Sequence, residues 1–104
     1  MQFINLTPHI ITEVTSGQTF DPSGIIARVK SSTEKVGDHV GCPIYTSVFG
    51  EIEGLPEPQE NTLYIVSALA LNAVPAHRND VVAPDNLQRD QAGQPIGCVG
   101  FRRN

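Results

Sequence analysis

Apolar positions along this chain come in short runs, each broken within a few residues by Gly, Pro or a polar cluster. That rhythm suits strands better than long helices. Phe3-Ile4-Asn5-Leu6 forms the first run and ends at Thr7-Pro8. Ile10-Ile11-Thr12-Glu13-Val14-Thr15, rich in β-branched residues, closes at Ser16-Gly17, and Thr19-Phe20 is placed to pair back across that turn as a hairpin. Asp21-Pro22-Ser23-Gly24 reads as a turn delivering the chain into Ile25–Lys30. Polar residues with two Gly fill 31–41, which predicts a loop or a mobile hairpin tip.

From Cys42-Pro43 the chain enters Ile44–Ile52. Alternation there puts Ile44, Thr46, Val48 and Ile52 on one side and Tyr45, Ser47, Phe49 and Glu51 on the other. Aromatic residues on the second side predict a strand covered in part on both faces. Gly54–Asn61 holds two Pro without amide donors, so it is a connection and not a central strand.

Leu63-Tyr64-Ile65-Val66 is the strongest strand signal and is predicted to be central. Ser67 can cap a short helix over Ala68–Val74, stopped by Pro75; the alternative is that the strand runs on to Val74. A short strand at Val81–Ala83, a turn at Pro84–Asn86 and a hairpin from Leu87–Arg89 and Ile96–Phe101 complete the chain. The expectation is a single domain over residues 1–104 of the mainly β (α+β) class: a small mixed, mostly antiparallel sheet, curled or closed into a barrel, with one short helix after the central strand.

Composition narrows the function more than the fold. The 104 residues suffice for one core. A net charge of −4 argues against unselective binding to a nucleic-acid backbone, which needs a basic face. Only 17 % of residues are charged, leaving an exterior of neutral polar groups, and this predicts a homo-oligomer that buries part of it. No apolar run nears the roughly 20 residues needed to cross a bilayer. The opening Met1–Asn5 lacks the basic and apolar regions of a signal peptide, so a cytoplasmic protein is expected. Cys42 and Cys98 are accordingly expected to be buried free thiols.

Motifs that carry chemistry are sparse. His39-Val40-Gly41-Cys42 offers half of a zinc site, but Cys98, His9 and His77 each stand alone, and no metal or other cofactor is expected. There is no Gly-x-Ser-x-Gly elbow, Walker loop or Gly-x-Gly-x-x-Gly. Ser67 serves better as a cap than as a nucleophile, and the pairs Glu51/Glu53 and Glu57/Glu60 read as exposed charge. These absences point away from an enzyme, with a small hydrolase using His9 or His77 as the catalytic alternative. The most informative cluster is His77-Arg78-Asn79-Asp80 with Arg89-Asp90. If the strands at 81–83 and 87–89 are neighbours, Arg78, Asp80, Arg89 and Asp90 form one ion-pair network; alternatively a guanidinium faces outward as a fork for carboxylate or phosphate.

Several segments together resemble a group of small phage and prophage accessory proteins. They are Asn5-Leu6-Thr7-Pro8-His9, Pro22-Ser23-Gly24 with Ala27-Arg28-Val29, Phe49-Gly50-Glu51, and Gly54-Leu55-Pro56. Leu63–Ser67, Ala73-Val74-Pro75, Arg78-x-Asp80-Val81, Arg89-Asp90-x-x-Gly93 and Ile96-Gly97-Cys98 continue the match in order over nearly the whole chain. The resemblance implies a genetic context and no catalytic residue. From it follow two expectations. One is a non-catalytic accessory protein in the host cytoplasm that binds a host factor or sequesters a small anionic, nucleotide-like ligand to counter host defence. Its ligand contacts would be Arg78, Arg89 and Arg28, with His9 and Asn72 as secondary polar contacts. The other is a virion component, a capsid-decorating or head–tail protein.

Overall fold

Leu63–Val66 owes its central place to residues that are apolar on both sides of the strand, which only a strand covered on both faces tolerates. The computed structural model describes residues 2–104, without the side chain of Pro95. In it β6 (Thr62–Ile65) lies between β1 (Gln2–Asn5) and β7 (Val81–Pro84), parallel to both, and β10 (Phe101–Arg102) adds antiparallel to β7. Helix α1 (Ala68–Asn72) is the crossover from β6 to β7. Ser67 caps it: its Oγ accepts the amide of Ala70 at 3.1 Å. At the other end the Asn104 side chain donates to the carbonyls of Leu71 and Val74, both at 3.0 Å, and so ties the C-terminal residue to the end of the helical segment.

One face of this sheet carries the main core, where Tyr64, Val66, Val81 and Ala83 meet Ala70, Leu71 and Val74 of the helical segment. The Tyr64 ring is fully buried, and its hydroxyl escapes the cost of burial by donating to the Glu57 carbonyl at 2.9 Å. The opposite face meets a second sheet through a cluster of three rings. Phe3 lies 4.8 Å from Phe20 and 5.4 Å from Phe101, centroid to centroid.

The second sheet has the order β3-β2-β9-β8: β2 (Ile11–Glu13) pairs antiparallel with β3 (Gln18–Phe20), and β9 (Pro95–Cys98) antiparallel with β8 (Leu87–Arg89). A parallel contact between Glu13 and Cys98 joins the halves. Close packing there needs a glycine, since a Cβ on Gly97 would sit 2.8 Å from Val14 and 2.9 Å from the Thr12 carbonyl.

β4 (Arg28–His39) and β5 (Cys42–Glu53) form a separate antiparallel pair of 12 residues each. Their base is tied to the core through Val29 and Ile52, and beyond it the hairpin projects with both faces largely exposed. This arm extends the molecule to 53 Å, with a radius of gyration of 16.4 Å where a compact domain of this length has about 13 Å.

The mainly β architecture with a single short helix after the central strand is as the sequence predicts. Four differences stand out. The pairing is mixed as expected, but the strands divide among three small sheets and do not close into a barrel. Residues 31–41, expected as a loop or a mobile hairpin tip, are the far end of a hairpin: residues 31–39 continue β4, and the turn is the pair Val40-Gly41 with φ of 49° and 79°. The predicted last strand breaks at Val99-Gly100, so β9 belongs to one sheet and β10 to the other. Tyr45 and Phe49, on a strand expected to be covered in part on both faces, are 58 % and 53 % exposed.

Candidate functional site

The opening Asn5–His9 segment folds back on itself because Asn5 is buried with all its polar capacity used. Its Oδ1 accepts from the Thr7 amide at 2.9 Å and the Thr7 hydroxyl at 2.7 Å. Its Nδ2 donates to the carbonyls of His9 at 2.7 Å and Phe20 at 2.9 Å. The result is a fixed bend that carries the chain from β1 in one sheet to β2 in the other. It leaves the His9 side chain exposed at the rim of a groove.

That groove has a volume of about 530 Å³ and runs between the start of β2 and the β8–β9 hairpin. Its walls are Ile10, Leu87 and Ile96, which are 62 %, 52 % and 57 % exposed, and Cys98 and Gly97 lie at its floor. Polar groups come from His9, Thr12 and Gln94; among the described residues no Arg, Lys, Asp or Glu lines it. Three large aliphatic side chains left open around one concavity are the mark of a contact surface, not of scattered surface apolarity.

A second groove of about 390 Å³ lies where Thr7-Pro8, the entry to β4 and the start of α1 meet. Arg28, Ser67 and the exposed Leu69 line it.

The residues expected to contact an anion do not converge. Arg78 turns inward: Nε and Nη2 bind the two carboxylate oxygens of Asp80 at 2.9 and 3.0 Å, and Nη2 also donates to the Pro56 carbonyl at 2.9 Å. Hydrogen bonding within the pair, opposed by burial, raises the Arg78 pKa above its ordinary value and lowers that of Asp80. Arg89 is exposed on β8 and donates to the Gly93 carbonyl at 3.1 Å. Asp90 pairs with no cation among the described residues; its Oδ1 accepts the amides of Ala92 and Gln94, both at 2.9 Å, and shapes the β8–β9 turn. The expected network of four therefore divides in two, because β7 and β8 are not neighbours but belong to different sheets. Asn72 is exposed on the last turn of α1, His9 lines the first groove and Arg28 the second.

Sequence reasoning missed Glu13. This carboxylate is buried at 7 % exposure, and it accepts amides from Thr15 at 2.9 Å, Ser16 at 2.7 Å and Gly100 at 2.9 Å. Those donors, Gly100 foremost, hold its pKa down at about 2. The signal was an acidic residue closing a β-branched run just before Thr15-Ser16-Gly17, a turn rich in free amides. Cys98 beside it is buried, and desolvation together with the Glu13 charge raises its thiol pKa. Cys42, expected to be buried, is exposed at the end of the arm.

Comparison with protein-family models, curated proteins and solved structures found no match to this chain. Among the described residues no helix is long and apolar enough to cross a membrane.

Proposed function

We propose that this protein is a phage or prophage accessory protein that works without catalysis, as a homo-oligomer in the host cytoplasm, by binding a host protein through the groove between β2 and the β8–β9 hairpin. The observation that carries this reading is the cluster of Ile10, Leu87 and Ile96 around one concavity of about 530 Å³. A groove with apolar walls and a few polar groups suits an apolar side chain or segment of a protein. The lack of any Arg or Lys in it speaks for such a partner over a nucleotide.

A small anion is the second reading, and it moves to the other groove. Support comes from Arg28, an exposed guanidinium with no ion pair among the described residues, beside the Ser67 hydroxyl.

The test compares wild type with Ile96→Glu and Arg28→Ala as baits in infected host cells, with each recovered protein or nucleotide re-titrated in purified form. The groove reading expects a host protein that binds wild type and Arg28→Ala alike and loses at least roughly tenfold in affinity against Ile96→Glu. Loss confined to Arg28→Ala, with a nucleotide as ligand, would replace it by the anion reading. Recovery of the protein in purified particles at fixed stoichiometry would replace both by a virion role.

A further inference from the structure

Among the described residues the β4–β5 pair has no neighbouring strand on either side, which gives the arm two free edges. An isolated two-stranded hairpin is marginal in water, and each free edge presents unpaired amides and carbonyls. The two edges differ in what guards them. β4 carries Lys30, Glu34, Lys35 and Asp38 along its length. β5 carries no charged residue from Cys42 to Gly50, and its Ile44-Tyr45-Thr46-Ser47-Val48-Phe49 is a run of high strand propensity. Charge on an edge is what keeps a second strand away, and β5 has it only past Gly50, at Glu51 and Glu53 near the base of the arm.

The aromatic residues of β5 are also unmatched within the hairpin. Phe49 stands opposite Ser31 and Tyr45 opposite Lys35, while Ser47 between them faces Thr33. Both rings stay more than half exposed. An antiparallel copy of β5 with Ser47 on the two-fold axis would set Tyr45 of each chain opposite Phe49 of the other, on the same face. It would satisfy the free edge and cover both rings at once.

We propose that the outer edge of β5 is a self-association site, at which two copies join their arms into one four-stranded sheet, β4-β5-β5-β4, centred on Ser47. The inference rests on the homo-oligomer in the proposed function and names its interface. It is independent of the groove, which lies on another sheet.

The register makes the test specific. In a Cys42→Ser background, Ser47→Cys brings two thiols across the axis at a Cα separation of about 5 Å, within disulfide range. Oxidation should give a covalent dimer, and Ser32→Cys in the same background should not. Ser47→Lys and Ser47→Glu each place like charges opposite one another and should weaken the dimer by roughly tenfold in sedimentation equilibrium, with mixing of the two variants restoring it. Ser47 is exposed, and circular dichroism verifies that each variant is folded. A wild-type protein that stays monomeric at high concentration overturns both this site and the oligomer. An oligomer that neither cross-links through residue 47 nor responds to charge there overturns the site alone.

Discussion

The carboxylate of Glu13 accepts the backbone amide of Gly100 at 2.9 Å, joining the end of β2 to the turn between β9 and β10 across 87 positions of the chain. With its pKa held at about 2, below the ordinary 4.5, the group favours the folded state when ionised. Its contribution is fully present above about pH 4.5 and is lost as the pH falls towards 2. Glu13→Gln should melt below wild type at pH 7, and the gap should narrow through that window in thermal unfolding followed by circular dichroism. A gap that stays constant from pH 7 to 2 would deny the carboxylate this role.

Arg78 and Asp80 are 13 % and 16 % exposed as side chains, so removing one leaves a charge that water reaches poorly. Arg78→Ala strands both the Asp80 carboxylate and the Pro56 carbonyl and should cost about 3 kcal/mol in urea unfolding. Arg78→Lys should recover only part, because an ammonium cannot reproduce the two-pronged contact. A stability change below about 0.5 kcal/mol for Arg78→Ala would show that the guanidinium is free for other work.

Ser67→Ala removes the side-chain cap at the N-terminus of α1 and should cost about 1 kcal/mol. The measurement is chemical denaturation, with Ser67→Asp expected to retain most of the stability.

Gly54 leaves β5 with φ of 81°, and a Cβ there would overlap the carbonyl of Ile26. Gly54→Ala should destabilise by about 2 kcal/mol, whereas Gly24→Ala, with open space around it, meets only the strain of its own positive φ and should cost less. Equal losses at the two sites would contradict the close approach of β5's exit to the entry of β4.

What the sequence revealed follows from where water is excluded. Leu63–Val66, Ser67 and the short helix were legible because burial on both faces and an N-cap leave local signatures. β4 beyond Lys30 was not, because Ser31–Lys35 are exposed on both sides and have no inward face to imprint alternation. Its turn was hidden too, since Val40-Gly41 lacks the Asn or Asp that normally marks two successive positive φ values. The groove escaped notice for a different reason: Ile10, Leu87 and Ile96 come from three separate segments, and only the pairing of β2 with β9 brings them together. Arg78 and Arg89 were placed in one site by their neighbours in sequence; the sheet assignments of β7 and β8 separate them.

The contact between Phe3 and Phe101 has a bearing on synthesis. Both sheets take an inner or outer strand from beyond residue 94, and the rings that hold them together include one from the first strand and one from the last. A nascent chain can pair β2 with β3 early, but β2 meets its other neighbour, and Phe3 the ring of Phe101, only when β9 and β10 have left the ribosome. With so many pairings distant in sequence, folding is expected to proceed slowly, exposing the bare strand edges to whatever is nearby in the meantime.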